Sequence, residues 1–169
     1  KEAPKGLHVL TGIDYLLLSK EINRYQRIRR KADKWVVNLG GSDTYGVTVK
    51  AVEWLVKKKR TATVVLGPGF LHHKMLKAVM RRNITIMQSV PSLIAEFSNY
   101  DVAITGGGLT AFEAAAAGLP TISVANELHE IGHCEYLQNL GCSIYAGYHK
   151  DVNFDVIEQI SNIEKMSQA

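Results

Sequence analysis

Short apolar runs alternate with segments of helical periodicity along most of the chain. The first run, "WVVNL" at 35–39, is rich in β-branched residues and ends in two glycines, as expected of a buried strand that enters a turn. From 47 to 58 the apolar residues recur at helical spacing. The same alternation predicts helices after the later strands and a last helix over 152–167, and it places further strands at 63–67, 84–87, 101–105, 120–125 and 142–146.

Six strands joined by crossover helices indicate a parallel sheet with helices on both faces. We therefore predict an α/β fold, a doubly wound, mainly parallel, six-stranded Rossmann-like sheet, over residues 35–169. Residues 1–34 do not follow the alternation, and "HVLTGIDYLLL" (8–18) is typical of a strand or a connector. Because the chain opens with Lys1, we expect 1–34 to lead in from an upstream domain that this chain lacks.

The composition indicates a globular protein. The chain has 169 residues, of which 46% are hydrophobic and 21% charged. No apolar run reaches the roughly 18 to 20 residues of a membrane span, and the start lacks a signal-peptide core, so we expect a cytoplasmic protein without a membrane span. Cys134 and Cys142 lack metal-site spacing and are expected to be reduced thiols.

The formal net charge is +4, and much of the excess lies in "RYQRIRRKADK" (24–34) and "KKKR" (57–60). Basic runs occur in nucleic-acid-binding proteins, but no recognised nucleic-acid motif accompanies these two. The second run falls where a helix should end, and cations are favourable there. We therefore expect solvated charge and no nucleic-acid partner.

The first candidate site is the glycine loop "NLGGSDTYG" at 38–46. Ligands of open α/β sheets bind outside the carboxyl ends of the strands, and this loop follows the first strand. Gly40 and Gly41 allow a tight turn and close approach, while Ser42 and Asp43 are residue types that cap helices. The helix N-terminus behind them would offer N–H donors to an anion. The loop lacks the P-loop and dinucleotide-binding patterns, and a glycine turn needed for packing explains it equally well.

The second candidate is "TGGGLTAFEAAAAGLPTISV" at 105–124, where three glycines follow a strand and Leu109 begins a helix. Two glycine loops at helix N-termini on one sheet edge predict a cradle for a phosphate or diphosphate. Glu113, one turn into this helix, would repel bound phosphates. It therefore either accepts two vicinal hydroxyls of a ribose or interacts with the helix dipole.

The third candidate is the loop "ANELHE" at 125–130, whose Asn126 and Glu127 suit a sugar or a catalytic role. The stretch "HEIGH" at 129–133 matches H-E-x-x-H, but Gly132 interrupts the helix that a zinc site of this type needs. We predict no metal and no cofactor.

The order of these motifs resembles the C-terminal domain of the PseG family. The resemblance rests on "VVNLGGSDTYGVTVKAVEWL", "VVLGPGF" and the stretch from "ITIMQSV" to "TISVANE", and it covers about residues 8–150. PseG enzymes are cytoplasmic hydrolases that remove UDP from a trideoxy-diacetamido sugar in pseudaminic acid biosynthesis. The chain is also similar to spore-coat polysaccharide proteins of the SpsG type and, more distantly, to the glycosyltransferase MurG, which shares the two-domain GT-B architecture.

The resemblance implies a site for UDP or a UDP-sugar. It assigns the diphosphate to the first glycine loop, the uracil edge to the backbone at Val90, and the ribose hydroxyls to Glu113. Asn126 matches a position near the sugar and phosphate. The residues expected to bind the UDP-sugar are Gly40, Gly41, Ser42, Val90, Gly106, Gly107, Gly108, Leu109, Thr110, Glu113, Asn126 and Glu127.

The chain departs from the family pattern at Glu127, where glutamine is usual, and at Gly107 and Leu109. The family's catalytic histidine comes from the N-terminal half, so no catalytic residue is assigned here, and we expect this chain alone to bind weakly and turn over little. The leading hypothesis is the donor-binding domain of a UDP-sugar hydrolase. The alternatives are the same domain of a MurG-like glycosyltransferase and a degenerate domain kept for interaction.

Overall fold

A computed structural model describes residues 12–159 and 163–169. Six parallel strands form one sheet in the order β3-β2-β1-β4-β5-β6, which confirms the doubly wound α/β fold. β1 and β4 are neighbours at the centre, and the chain builds the sheet outward from them in both directions. The strands are β1 (Trp35–Asn38), β2 (Ala62–Leu66), β3 (Ile84–Gln88), β4 (Val102–Gly106), β5 (Thr121–Ala125) and β6 (Ser143–Tyr148).

Helices cover both faces of the sheet, which is why the central strands are buried along their whole length. One face packs against α2, α3 and a 3₁₀ turn at Phe154–Gln159, and the other packs against α1, α4 and α5, with α6 beside α5. The helices are α1 (Ile22–Tyr25), α2 (Val47–Lys57), α3 (His73–Val79), α4 (Leu93–Phe97), α5 (Leu109–Ala116), α6 (Glu130–Asn139) and α7 (Ile163–Gln168). None of the helices in the described residues is long and apolar enough to cross a membrane.

The single helix predicted over 152–167 is wrong in its first part. The Asn153 side chain accepts the Asp155 N–H at 3.0 Å and starts a 3₁₀ turn instead. Phe154 and Ile157, three residues apart, both point into the core, as 3₁₀ spacing allows. Residues 160–162 lie outside the described residues, and α7 covers Ile163–Gln168.

Within the described residues, the segment 12–34 before β1 packs against the domain without joining its sheet. Residues 8–11 lie outside the described residues, and 12–18 contain a 3₁₀ turn and extended backbone. Ile13, Leu16 and Leu18 contact the cluster formed by α5 and α6. That 1–34 connect to an upstream domain stays a prediction.

The expectation of solvated charge over 24–34 is wrong at Arg29, whose side chain is fully buried. Its guanidinium donates to the carbonyls of Phe97 at 2.9 Å and Ala117, which end α4 and α5, and to those of Arg27 and Tyr100. The last carbonyls of a helix lack partners within it, so a cation with several donors suits this position. Burial and the neighbouring Arg27 lower the pKa of Arg29 to about 10, which keeps it cationic at neutral pH.

Candidate functional site

A cleft of about 300 Å³ lies at the carboxyl edge of the sheet, where β1, β2 and β3 end. Its walls are the turns after these three strands and the first turn of α5. The cleft brings together four of the predicted ligand-binding residues: Gly40, Gly41, Val90 and Thr110.

One side of the loop after β1 is fixed by contacts with the protein, and its other side is open. The buried Asn38 side chain donates to the Val65 carbonyl at 2.9 Å and accepts the Gly40 N–H at 3.2 Å. Gly40 has a φ of +85°, which favours glycine, and a Cβ on Gly40 or Gly41 would meet no atom within 4 Å. A Cβ on Gly67 would instead overlap the Gly41 carbonyl. The β2 turn therefore supports this loop, and its other side faces open space.

Asp43 closes the N-terminus of α2. Its carboxylate accepts the N–H groups of Val47 at 2.9 Å and Thr48 at 2.8 Å, and the Val49 N–H bonds to the Gly46 carbonyl at 3.1 Å. The expectation that this helix offers free N–H donors to an anion is therefore wrong, because a buried carboxylate already holds them.

Helix α5 presents the opposite situation. Gly108 is its N-cap residue, and no side chain caps the helix. Within residues 12–159 and 163–169, the N–H groups of Gly108, Leu109 and Thr110 have no acceptor, and the same holds for Gly41 and Ser42 across the edge. The helix dipole adds partial positive charge at this point, so an anion can be bound here.

The glycine triplet before α5 has a packing role as well. A Cβ on Gly107 would lie 2.6 Å from the Cys134 Sγ and 2.8 Å from the Glu130 Cβ, both on α6. A Cβ on Gly106 would lie 3.0 Å from the Asn126 Nδ2, whereas on Gly108 its nearest neighbour would be the Glu130 Oε1 at 3.4 Å. Close approach of α6 therefore requires glycine at Gly107, while Gly108 has room.

Glu113 lies on α5, one turn beyond Thr110 and on the same helix face. In the described part of the chain its carboxylate has no hydrogen bond or ion pair. Burial raises the pKa of this carboxyl above its ordinary value. Glu113 is past the first turn, where the helix dipole acts most strongly, so the dipole gives little reason for a carboxylate here. The group is available to accept hydrogen bonds from a ligand.

The loop after β5 is closed by Glu130, the first residue of α6. Its Oε2 accepts the N–H groups of Asn126 at 2.8 Å and Glu127 at 3.3 Å. The Asn126 Oδ1 is buried and has no hydrogen-bond partner among the described residues. The exposed Glu127 carboxylate accepts the Tyr45 hydroxyl at 3.2 Å.

The H-E-x-x-H stretch has a structural use here. Glu130 is engaged by loop amides, and the His133 Nδ1 lies 3.1 Å from the Gly107 carbonyl. In the ranges 12–159 and 163–169 no group of three His, Cys, Asp or Glu residues could hold a metal ion. Cys134 and Cys142 are free and buried, and burial raises the pKa of Cys134 to about 11.

A second cavity, of about 670 Å³, lies on the other side of the α5 N-terminus, between α5, α6 and residues 12–16. Gly108 and Leu109 line it together with Phe112, His129 and His133. The predicted residues at the start of α5 thus border both cavities, Gly108 and Leu109 the larger one and Thr110 the cleft. The sequence analysis did not single out Asn38 or Tyr45 as site residues. Asn38 could have been found, because a polar residue at the end of an apolar strand is a recognisable signal of a site at the sheet edge.

Known structures share this fold. MurG of Acinetobacter baumannii has a TM-score of 0.64 at 15% identity, over 82% of this chain and 44% of MurG. SnogD of Streptomyces nogalater has a TM-score of 0.57 at 17% identity, over 90% of this chain and 40% of SnogD. SsfS6 of Streptomyces sp. SF2575, solved with thymidine diphosphate, has a TM-score of 0.56 at 14% identity, over 89% of this chain and 39% of SsfS6. SnogD and SsfS6 are described as glycosyltransferases, and the shared fold is that of a GT-B C-terminal domain.

A sequence relative is the uncharacterized protein MJ1062 of Methanocaldococcus jannaschii, 29% identical over 180 aligned positions. The alignment covers 90% of this chain but only 37% of that protein. Residues 36–169 match the model of the Glycosyltransferase family 28 C-terminal domain. The chain therefore belongs to the glycosyltransferase family 28 C-terminal domain family.

Proposed function

We propose that this domain binds the nucleoside diphosphate of an activated sugar and acts as the donor domain of a GT-B glycosyltransferase. The observation that carries the proposal is the uncapped N-terminus of α5, which borders the cleft at Thr110 and is followed one turn later by Glu113, whose carboxylate has no partner among the described residues. Family membership supports it, since a family 28 domain is a glycosyltransferase domain by description.

The site has one suitable group for each part of such a ligand. The diphosphate fits the free N–H groups of Gly41, Ser42 and Gly108 to Thr110. The base fits the cleft beside Val90, and the ribose hydroxyls fit Glu113 because an ionised carboxylate only accepts hydrogen bonds. The buried Asn126 Oδ1 would gain a donor from the ligand or from a bridging water. We propose uridine as the nucleoside, on the resemblance at Val90 and Glu113.

The sequence favours a hydrolase of the PseG type, but the comparisons give that hypothesis no support of its own and favour the transferase. In both reactions the sugar C1–O bond breaks and the nucleoside diphosphate leaves; only the attacking oxygen differs, from an acceptor or from water. The role proposed for this domain is to stabilise the charge on the leaving diphosphate. We place the acceptor and the proton transfer on a part of the protein outside this chain.

Calorimetric titration with UDP and 2′-deoxy-UDP tests the proposal, with ADP and GDP as base controls. Wild type should bind UDP best, and Glu113→Gln should weaken UDP about tenfold or more, as for a hydrogen bond to a charged group. The variant should lose less affinity for 2′-deoxy-UDP than for UDP, because only one of the two hydroxyls remains to bond Glu113. Equal losses for both ligands would assign Glu113 a role other than ribose recognition, and absence of binding by wild type would overturn the proposal.

A further inference from the structure

Tyr45 lies on a prearranged aromatic platform at the carboxyl edge, on the side of the α5 N-terminus away from the cleft. Its ring stacks on that of His149, with centroids 3.6 Å apart and planes at 19°. Tyr148 contacts the same histidine ring edge-on at 4.2 Å. Tyr45 itself is 39% exposed, so the stack ends in a tyrosine ring that is open to solvent.

The histidine beneath Tyr45 is fixed by the fold. The His149 side chain is buried, its backbone N–H donates to the Ala125 carbonyl at 2.9 Å, and its backbone carbonyl accepts the Lys50 Nζ at 2.9 Å. These bonds attach the platform to β5 and α2. A ring that is held in place loses little conformational freedom when a ligand binds on it.

Glu127 fixes the other end of Tyr45. The tyrosine hydroxyl donates to the Glu127 Oε1 at 3.2 Å, which joins the loop after β1 to the loop after β5. β4 lies between these strands in the sheet, so the bond crosses the carboxyl end of β4 near Gly106. Glu127 thereby presents a carboxylate with remaining acceptor capacity beside an open aromatic ring.

The order of groups along the edge gives this platform a ligand. The base cleft lies at β1 to β3, the free N–H groups lie at β1 and β4, and the platform lies at β5 and β6. A nucleotide with its base in the cleft and its diphosphate at α5 directs its remaining part toward Tyr45. In an activated sugar that part is the sugar ring, whose C–H face suits an aromatic ring and whose hydroxyls suit a carboxylate.

We propose that Tyr45 is a sugar-binding residue of the donor site, which stacks on the pyranose and is positioned by His149 and Glu127. This rests on the proposed function, because the direction of the ligand follows from the nucleotide site. It assigns Glu127 the task of holding Tyr45 in addition to any contact with the sugar. The bond to Glu127 raises the pKa of the Tyr45 hydroxyl, consistent with its role as a donor.

The test compares UDP with UDP-glucose and UDP-N-acetylglucosamine by calorimetry on wild type, Tyr45→Ala, Tyr45→Phe and Tyr15→Ala. Tyr15 is another exposed tyrosine, in the 3₁₀ turn before β1, and its replacement is the matched control. Tyr45→Ala should weaken at least one UDP-sugar about threefold to tenfold, the range of aromatic stacking, and leave UDP within twofold. Tyr45→Phe should retain most of the affinity for the sugar nucleotide, and Tyr15→Ala all of it.

Saturation-transfer NMR gives a second readout that loss of fold does not mimic. Sugar-ring protons of the bound UDP-sugar should receive saturation from wild type and lose it selectively in Tyr45→Ala, while uracil protons keep theirs. If wild type binds UDP but Tyr45→Ala weakens UDP and the UDP-sugars equally, or weakens none of them, the proposal that Tyr45 binds the sugar is wrong. The proposed nucleotide site is then unaffected. If wild type binds none of these ligands, both proposals fall together.

Discussion

The N-termini of α2 and α5 have similar sequences before them but differ in what they can bind. Each follows a buried strand and a glycine-rich turn at the carboxyl edge. In α2 the buried Asp43 carboxylate takes the first N–H groups, whereas α5 starts at Gly108 without a side-chain cap. A glycine turn before a helix is therefore not an anion site by itself. It can be one only where no carboxylate of the protein already accepts the first N–H groups of the helix.

The two ends of α5 differ as well. Its C-terminal carbonyl at Ala117 accepts from the buried Arg29, so the negative end of the helix is neutralised by the protein. Its N-terminal end has no such partner among the described residues. The helix is thus fixed at one end and available at the other, which is the arrangement that a preorganised anion site needs.

Replacement of single glycines before α5 separates packing from ligand binding and should give the largest effect. Gly107→Ala places a methyl group against Cys134 and the Glu130 backbone on α6, and we expect it to lower the free energy of unfolding by about 2–3 kcal/mol. Gly108→Ala is the matched control, because its φ is −84° and its nearest neighbour is the end of a flexible side chain. For Gly108→Ala, urea unfolding should show a loss of less than about 0.5 kcal/mol in the free energy of unfolding. Equal losses in the two variants would contradict the assignment of Gly107 to packing.

Removal of the Asp43 carboxylate turns α2 into a second open terminus. Asp43→Ala should lower the free energy of unfolding by about 2 kcal/mol, the upper range for loss of a capping side chain, because two N–H groups lose their partner. Asp43→Asn should recover part of this loss, since its amide oxygen can accept one of them and asparagine tolerates the φ of +44°. Urea unfolding measures both changes.

Asp43→Ala also tests the contrast between the N-termini of α2 and α5 directly. Added sulfate should stabilise Asp43→Ala more than it stabilises wild type, because an anion can take the vacated position at α2. If sulfate acts equally on the two proteins, the α2 terminus is closed by something other than Asp43.

The fold was predictable because each strand and helix carries its own periodicity and its own stop signals. The pattern at 35–39 and at 101–105 predicts two buried strands, and both are central in the sheet. The terminal segment was not predictable in this way. Its local sequence pattern is helical, but the packing of Phe154 and Ile157 in the core determines the structure there.

The positions of the candidate-site residues were predictable only where they follow from chain order. Thr110 and Glu113 could be placed, since they follow a strand and a glycine turn. The choice between Ser42 and Asp43 as the cap could not be made, because both are capping residue types and the φ of +44° at Asp43 is a property of the folded loop. The burial of Arg29 and the stacking of Tyr45 on His149 depend on residues distant in the chain, and no local pattern reports them.

The smallest expected effect concerns Glu113, on the open side of the comparison. Burial without a partner raises the pKa of its carboxyl in the folded protein, so the ionised form is less favourable there than in the unfolded chain. This destabilisation is absent below the unfolded pKa, near pH 4, and grows as the pH rises through the folded value. Glu113→Gln should therefore be as stable as wild type at pH 4 and slightly more stable at pH 7, by less than about 0.5 kcal/mol.

Urea unfolding at the two pH values, read beside the UDP titration, makes this small difference informative. A side chain that lowers the stability of the ligand-free protein but raises the affinity for the ligand is retained for binding and not for the fold. Saturating UDP should reverse the order of stability at pH 7, because the ligand stabilises wild type more than the variant. A loss of stability in Glu113→Gln at pH 7 without ligand would show instead that the carboxylate supports the fold, and the open terminus of α5 would then lack its neighbouring ribose acceptor.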